Sequence, residues 1–341
     1  MLKEAAQKYF RCPACGGKGL DLTVFEEKED SVINGVLSCP ECRTWYRIEE
    51  ELAELLVPDL RNAQQQKQFI DRFSDQWNGW NDLPAGDSDE GREHKLEQKS
   101  FYDDDAVPYE TSMLKLPFWM AVDSSSIDKI LTLSSRKKTL LEIGCGTGRI
   151  SFPTSGTFET VLAFDISESM VKTAMRKRKD LGRDGRTILY FVGDAENAPI
   201  QNDCADVALL YGILHHVENP AAVLKAAARC LCPGGAVFGC ENNRSVFRPF
   251  FDLLMRVRKL WNEKAHEDHF IMSHQMMREL LSNASLDGAV WTSVFLPPHL
   301  FNILSPGGAK RLLRFTDTLC GLMPWGRWQG GLLMFAGNKK L

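Results

Sequence analysis

Residues 139–165, TLLEIGCGTGRISFPTSGTFETVLAFD, constrain the fold more tightly than any other stretch of this chain. They open with the apolar run 140–143, which reads as a buried parallel strand. Gly144, Gly146 and Gly148 then alternate with small or polar residues ahead of a helix, and a second apolar run, 161–164, ends on Asp165. Glycines where a strand turns into a helix let the backbone swing tightly and approach a ligand that any side chain would block. An acid at the tip of the next strand, about 20 residues on, is placed to accept the two hydroxyls of a ribose. Strand, glycine loop, helix, strand, acid is the layout of a site for a nucleoside-bearing cofactor.

Glu142, just before the glycines, narrows the choice. A carboxylate there would repel a pyrophosphate, yet it suits a cofactor that carries a positive amine and a sulfonium. Gly144-Cys-Gly146-Thr-Gly148 also departs from the G-x-G-x-x-G spacing of dinucleotide sites. E-x-G-x-G-x-G followed by Asp165 resembles the first two motifs of the class I S-adenosylmethionine-dependent methyltransferases. The resemblance implies an α/β fold built on a doubly wound, Rossmann-like seven-stranded sheet. It places Glu142, Gly144, Gly146 and Gly148 at the methionine part of the cofactor and Asp165 at its ribose. Cys145, Ile166, Met170 and Tyr211 are further candidates along the cofactor.

The chain beyond this stretch keeps alternating strand and helix, as a parallel sheet requires. A helix over 124–133 leads into the first strand, and an amphipathic helix over 167–178, capped by Ser167, follows the second. A strand over 188–192 ends in Gly193-Asp194-Ala195. By resemblance, Asp194 faces the adenine amino group and the backbone N–H of Ala195 a ring nitrogen. Another strand, 206–210, runs out into Tyr211-Gly-Ile-Leu-His215-His216, on the carboxyl edge where open α/β sheets bind ligands. A helix over 221–230, a turn at Pro233-Gly234-Gly235 and a fifth strand over 236–240 lead to Glu241-Asn-Asn243 on the same edge. Strands over 290–296 and 331–336 complete seven, the last antiparallel. The insert 297–328 between them is a candidate substrate cover, with an amphipathic membrane-facing patch as the alternative.

Ahead of this unit lie two C-x-x-C knuckles, Cys12-Pro-Ala-Cys15 and Cys39-Pro-Glu-Cys42. Each supplies two thiolates from one tight turn, and two such turns facing each other make a closed tetrahedral site for structural zinc. A unit this small buries little core, so the metal contributes to its folding. NGVLSCPECRTWYRIEEELAELL resembles the second half of the small zinc-ribbon proteins that activate tRNA and protein methyltransferases, which implies scaffolding or substrate presentation. The units expected are a ribbon over 1–57, a linker and helical lid over 58–110, and the catalytic domain over 111–341. Phe69, Phe73, Trp77 and Trp80 recur at helical spacing within the linker, reading as a stripe docked on the main domain or as a lid over the active site. Phe101 and Tyr102 are lid candidates too.

Methyl transfer to oxygen or nitrogen is an in-line displacement that depends on alignment and exclusion of water. A hydroxyl or protonated amine also needs a base, and histidine is the usual one near neutral pH. His215 and His216 end the fourth strand beside the expected donor, and His269, near His266, Glu267 and Asp268, is a third candidate. Arg244, Arg248, Arg256, Arg258 and Lys259 are clustered enough to hold an anion or to form a solvated face.

The expected function is methylation of an O or N atom of a small-molecule acceptor, such as a natural product, sugar or quinone-like metabolite. Two alternatives stay open: an RNA methyltransferase using the ribbon for recognition, and a non-catalytic cofactor-binding protein with a protein partner on the ribbon. A net charge of −4 disfavours nucleic acid, though a local basic patch would escape that sum. Without a signal-peptide pattern or an apolar run near the roughly 20 residues that span a bilayer, the expected location is cytoplasmic, with no stable membrane insertion.

Overall fold

The computed structural model describes all residues except 1–2, 30, 81–90, 109–114, 181–186, 248–270, 325 and 341. A short helix α1 (Lys3–Tyr9) precedes an antiparallel meander of β1 (Asp21–Lys28), β2 (Ser31–Ser38), β3 (Trp45–Glu49) and β4 (Leu52–Leu55). Helices α2 (Ala63–Phe73), α3 (Arg92–Pro108) and α4 (Pro117–Ile130) follow. The alternating unit then runs β5 (Thr139–Ile143), α5 (Ser151–Thr154), β6 (Thr160–Asp165), α6 (Glu168–Asp180), β7 (Thr187–Gly193), β8 (Ala205–Tyr211), α7 (Pro220–Cys230) and β9 (Leu231–Asn242). It closes with α8 (His274–Asn283), β10 (Leu286–Ser293), α9 (Pro298–Asn302), α10 (Pro306–Gly321) and β11 (Leu332–Lys339).

All eleven strands among the described residues form one sheet, ordered β1-β2-β3-β4-β7-β6-β5-β8-β9-β11-β10. Strands β5 to β9 are parallel, and β11 is antiparallel to both β9 and β10. That is the expected doubly wound, seven-stranded unit. The ribbon does not merely precede it, because β4 pairs in parallel with β7 and prolongs the sheet by four strands. Period-2 alternation sorts the strand residues into two cores. Leu141, Ile143, Leu162 and Phe164 face one layer with residues of α7 and α8, and Leu140, Val161 and Ala163 face the other with residues of α4, α6 and α10.

Local capping fixes where the helices start. Ser167 Oγ accepts from Met170 N–H ahead of α6, Asn219 from Ala222 N–H ahead of α7, and Ser273 from Met276 N–H ahead of α8. The linker aromatics need a correction. Phe69 and Phe73 of α2, with Trp77 and Trp80, pack on Trp45, Val36 and Phe25 of the ribbon, not on the main unit and not over the cofactor edge. A ribbon whose outer face carries Trp45 and Phe25 has apolar area of its own to bury, and the stripe is the nearest segment that can cover it.

Candidate functional site

The carboxyl edge of the sheet gathers the predicted cofactor residues. After β5 the chain passes through Gly144, Gly146 and Gly148 at φ of +75°, +50° and +82°, left-handed backbone that glycine adopts without steric cost. Gly144 and Cys145 both donate their N–H to Phe164 O at 2.9 Å, tying the loop to the end of β6. A Cβ built on Gly146 meets none of the described residues within 4 Å, so its backbone faces open space among them. Its N–H donates to Asp165 Oδ2 at 2.9 Å, while Ser167 N–H donates to Oδ1 at 3.0 Å. Burial nevertheless pushes the Asp165 carboxyl above its ordinary value. Each of its oxygens keeps acceptor capacity for a ligand hydroxyl.

Glu142 lies behind this loop, 2% exposed, where the Ser151 hydroxyl donates to it. Burial pushes its pKa up to about 8, and a ligand cation beside it would return it to the ionised form. Cys145 is buried with its thiol pushed well up by desolvation, as befits a filler rather than a nucleophile. Ile166 packs into the core beside β6, and Met170 is buried in the first turn of α6. Asp194, just past β7, is buried and ion-paired to Lys95 Nζ at 3.0 Å, with Ala195 buried next to it. The Tyr211 hydroxyl donates to Asp123 at 3.1 Å and meets Ser126 at 3.2 Å, so it anchors α4 at the edge of the site. Arg149, directly after the glycines, joins this anchor through Asp123 at 3.0 Å.

The two adjacent histidines have different surroundings. His215, 8% exposed, donates from Nδ1 to Glu241 Oε2 at 2.6 Å. Glu241 is itself held by the N–H groups of Ile213 and Leu214, at 3.0 and 2.7 Å. A carboxylate on Nδ1 fixes the tautomer whose lone pair is on Nε2. The Ile213 side chain abuts Gly144, where a Cβ would come within 2.7 Å of it, so His215 sits two residues past the glycine loop's own neighbour. His216 pairs through Nε2 with the Tyr102 hydroxyl at 2.8 Å and lies against His215, ring centroids 3.8 Å apart with the planes tilted 45°. His269, His266, Glu267 and Asp268 lie outside the described residues, as do Arg248, Arg256, Arg258 and Lys259.

Tyr102 of α3 meets His216 at the strand ends, as a helical lid over 58–110 would; what the residue spacing missed is the polar face of that helix. Lys95 joins Asp194 and Glu196, His94 reaches the His216 carbonyl at 2.9 Å, and Asp103 accepts from the Ser167 hydroxyl at 2.6 Å and the Ser169 N–H at 3.1 Å. One helix thereby spans the ends of β6, β7 and β8. The available signal was Lys95, Lys99, Tyr102 and Asp103 recurring at three, four and seven residues on one helical face.

At the far end of the sheet the four thiols of Cys12, Cys15, Cys39 and Cys42 lie within 4.8 Å of one another. The knuckles repeat each other: Gly16 N–H returns to Cys12 O and Arg43 N–H to Cys39 O, with both residues at positive φ. Four converging thiols with backbone and hydroxyl partners (Gly17 N–H on Cys15, Thr44 on Cys42) are a closed donor set that fits structural zinc. The first knuckle also touches the catalytic unit, because the Asn197 side chain donates to Pro13 O.

Comparison with known proteins agrees with this geometry. Residues 141–239 match the family model described as a methyltransferase domain, and residues 11–51 match the Trm112p-like protein family. Ubiquinone biosynthesis O-methyltransferase of Thiobacillus denitrificans is 36% identical over 109 residues, covering 32% of this chain and 46% of the relative. The protein of the same name from Idiomarina loihiensis is 30% identical over 164 residues, covering 47% and 66%. The chain thus spans from about half to two thirds of the length of these curated relatives. Among solved structures, the complex between the Haloferax volcanii Trm112 methyltransferase activator and a methyltransferase aligns with TM-score 0.50 and 18% identity, over 70% of this chain and 98% of that one. Haemonchus contortus phosphoethanolamine N-methyltransferase 1 aligns with TM-score 0.51 and 18% identity, over 73% and 49%. At those identities the likeness speaks for the fold. The chain therefore carries a methyltransferase domain on a doubly wound α/β sheet, with a Trm112p-like zinc-ribbon segment built onto its edge.

Proposed function

We propose that this protein is an S-adenosylmethionine-dependent methyltransferase acting on an oxygen or nitrogen atom of a small-molecule acceptor, with a quinone-like metabolite as the leading class. The observation that carries the cofactor reading is Gly146, whose backbone faces open space while its N–H holds the carboxylate that would take a ribose. Glu142, Gly144, Gly146 and Gly148 would hold the methionine part, Asp165 the ribose, and Asp194 with the Ala195 backbone the adenine. When bound, the cofactor supplies an electrophilic methyl group on a sulfonium. Nε2 of His215 takes the proton of the acceptor hydroxyl or amine, and Glu241 stabilises the imidazolium that results. His216, held by Tyr102, seats α3 over the site and helps to exclude water. The names of the ubiquinone relatives favour a quinone-like acceptor, and α9 and α10 of the insert, packed on α4, would cover it.

The working units are 1–57, 58–110 and 111–341, and the ribbon's partner is the chain's own sheet. The β4–β7 ladder and the Arg47–Glu168 pair at 2.9 Å support that arrangement. None of the described helices is long and apolar enough to cross a membrane. Ten cysteines without a disulfide suit a reducing, cytoplasmic location.

Calorimetric titration of zinc-loaded protein with S-adenosylmethionine and S-adenosylhomocysteine tests the proposal. Micromolar binding is expected, and Asp165→Ala should weaken it about a hundredfold by removing two charge-assisted hydrogen bonds of about 1.5 kcal/mol each. A folded, zinc-loaded protein that binds neither compound would end this reading.

A further inference from the structure

One buried side chain over the cofactor edge has no partner of its own. Lys95, Gln98, Lys99, Tyr102 and Asp103 lie three and four residues apart along α3 and share one face of the helix. Lys95, Tyr102 and Asp103 reach the ends of β7, β8 and β6, and Lys99 pairs with Asp103 at 3.2 Å. Gln98, one turn beyond Lys95, is only 4% exposed, and among the described residues neither its Oε1 nor its Nε2 has a hydrogen-bond partner. Among the described residues no other buried amide is unpartnered at both ends. An interior amide missing every bond is costly, and its neighbours on this face already occupy the polar groups of the strand ends. A ligand lying between α3 and the sheet would satisfy it.

We propose that Gln98 reads the base of the cofactor, an inference that rests on the cofactor reading above. Lys95 lies 3.0 Å from Asp194, the acid assigned to the adenine amino group, and residues three apart on a helix are neighbours. Gln98 is therefore within a side chain's reach of the same base. Asp194 and the Ala195 N–H engage the amine and the six-membered-ring nitrogen beside it. The other edge of adenine offers the second amine hydrogen and a nitrogen of the five-membered ring. One carboxamide matches that pair, its Oε1 accepting from the amine and its Nε2 donating to the ring nitrogen. α3 would then be the element that selects adenine and closes on the filled site, with Gln98 satisfied only when the cofactor is present.

The test compares S-adenosylhomocysteine with its deaza analogue, in which C–H replaces the five-membered-ring nitrogen, by calorimetry on the full zinc-loaded chain. Wild-type protein should prefer the parent compound about tenfold, the worth of one lost hydrogen bond. Gln98→Leu should bind the parent about tenfold more weakly and lose the preference. Gln98→Glu, which keeps the acceptor and loses the donor, should lose the preference as well. In the absence of ligand, the melting temperature of Gln98→Leu should equal or exceed that of wild type, since an orphaned amide has been removed; a residue needed for the fold would lower it. Equal binding of the two compounds by wild type, or a preference that persists in both variants, would overturn the inference while leaving the cofactor reading intact. Failure of wild type to bind S-adenosylhomocysteine at all would overturn both.

Discussion

Two pieces of the N-terminal third come to rest at the carboxyl end of β7, and they are attached by different chemistry. The ribbon arrives along the strand edge: Ala53, Glu54 and Leu55 stand opposite Phe191, Val192 and Gly193 in a parallel ladder. Phe10 packs edge-on against Phe191 at 5.0 Å. Arg47, with a side chain 5% exposed, bonds Glu54 and Glu168 at 2.9 Å and Glu49 at 2.7 Å, which joins β3 and β4 to the start of α6. Helix α3 arrives from above, and its links to the strand ends run through side chains such as Lys95, Tyr102 and Asp103. Breaking a backbone ladder exposes unpaired polar groups on both strands, whereas side-chain ion pairs can be exchanged for water one at a time. The ribbon is part of the frame, and α3 is a cover laid on it.

The largest effect should come from the metal. Structural zinc in small ribbons contributes on the order of 10 kcal/mol to folding, and here the ribbon shares its sheet with the catalytic unit. Cys39→Ser, or chelation of zinc-loaded protein, should therefore lower the thermal midpoint of the entire sheet rather than of a separate first transition, as read by calorimetry. An early ribbon transition followed by an unchanged main one would show that the β4–β7 ladder does not couple the two, and the distinction between frame and cover would fail. Next in size is Arg47→Ala. It leaves the buried carboxylate of Glu54 without its cation and takes one of two from Glu168, which keeps Lys172 at 2.9 Å, a change that costs about 3 kcal/mol. Urea unfolding should show a lower midpoint at unchanged slope. A loss under about 1 kcal/mol would mean that the network is solvated and contributes no more than surface pairs do.

This contrast also explains what could be read in advance. The glycine loop with Asp165 about twenty residues on, and each C-x-x-C knuckle, rest on short spacings that backbone geometry enforces locally, while Asp194 was placed by resemblance. The cap at Ser167 was legible for the same reason as the loop and the knuckles. The β4–β7 junction was not, because the apolar run 52–55 finds a parallel partner more than a hundred residues away, and period alone does not choose among exposed strand edges. Glu241 could be placed at the ligand edge, but its pairing with His215 depends on β8 and β9 lying side by side. A helical lid with Phe101 and Tyr102 was legible, but the polar contacts of α3 were not: Lys95 and Gln98 are buried through an ion pair and an orphaned amide, which leave no apolar stripe to mark them. The aromatic stripe of α2 was visible, while its destination on Trp45 was set by the ribbon's exposed apolar face.

The smallest effect, and the sharpest on the cover, is Lys95→Met. Burial already holds the Asp194 carboxyl above its ordinary value with Lys95 beside it, and removing that cation raises it further. An acid whose folded-state pKa is raised is accommodated best when protonated. Its contribution is present below the unfolded value near 4 and is lost as pH rises through the folded value. Lys95→Met should therefore cost about 1–3 kcal/mol near pH 8 and distinctly less near pH 5, measured as unfolding free energy in urea at both pH values. Methionine keeps most of the stem length, so packing along α3 is largely preserved and the difference between the two pH values isolates the charge. If the cost is the same at both, Lys95 acts through its methylenes. α3 would then be packed onto the sheet as the ribbon is, and cofactor entry would have to displace a frame element rather than lift a cover.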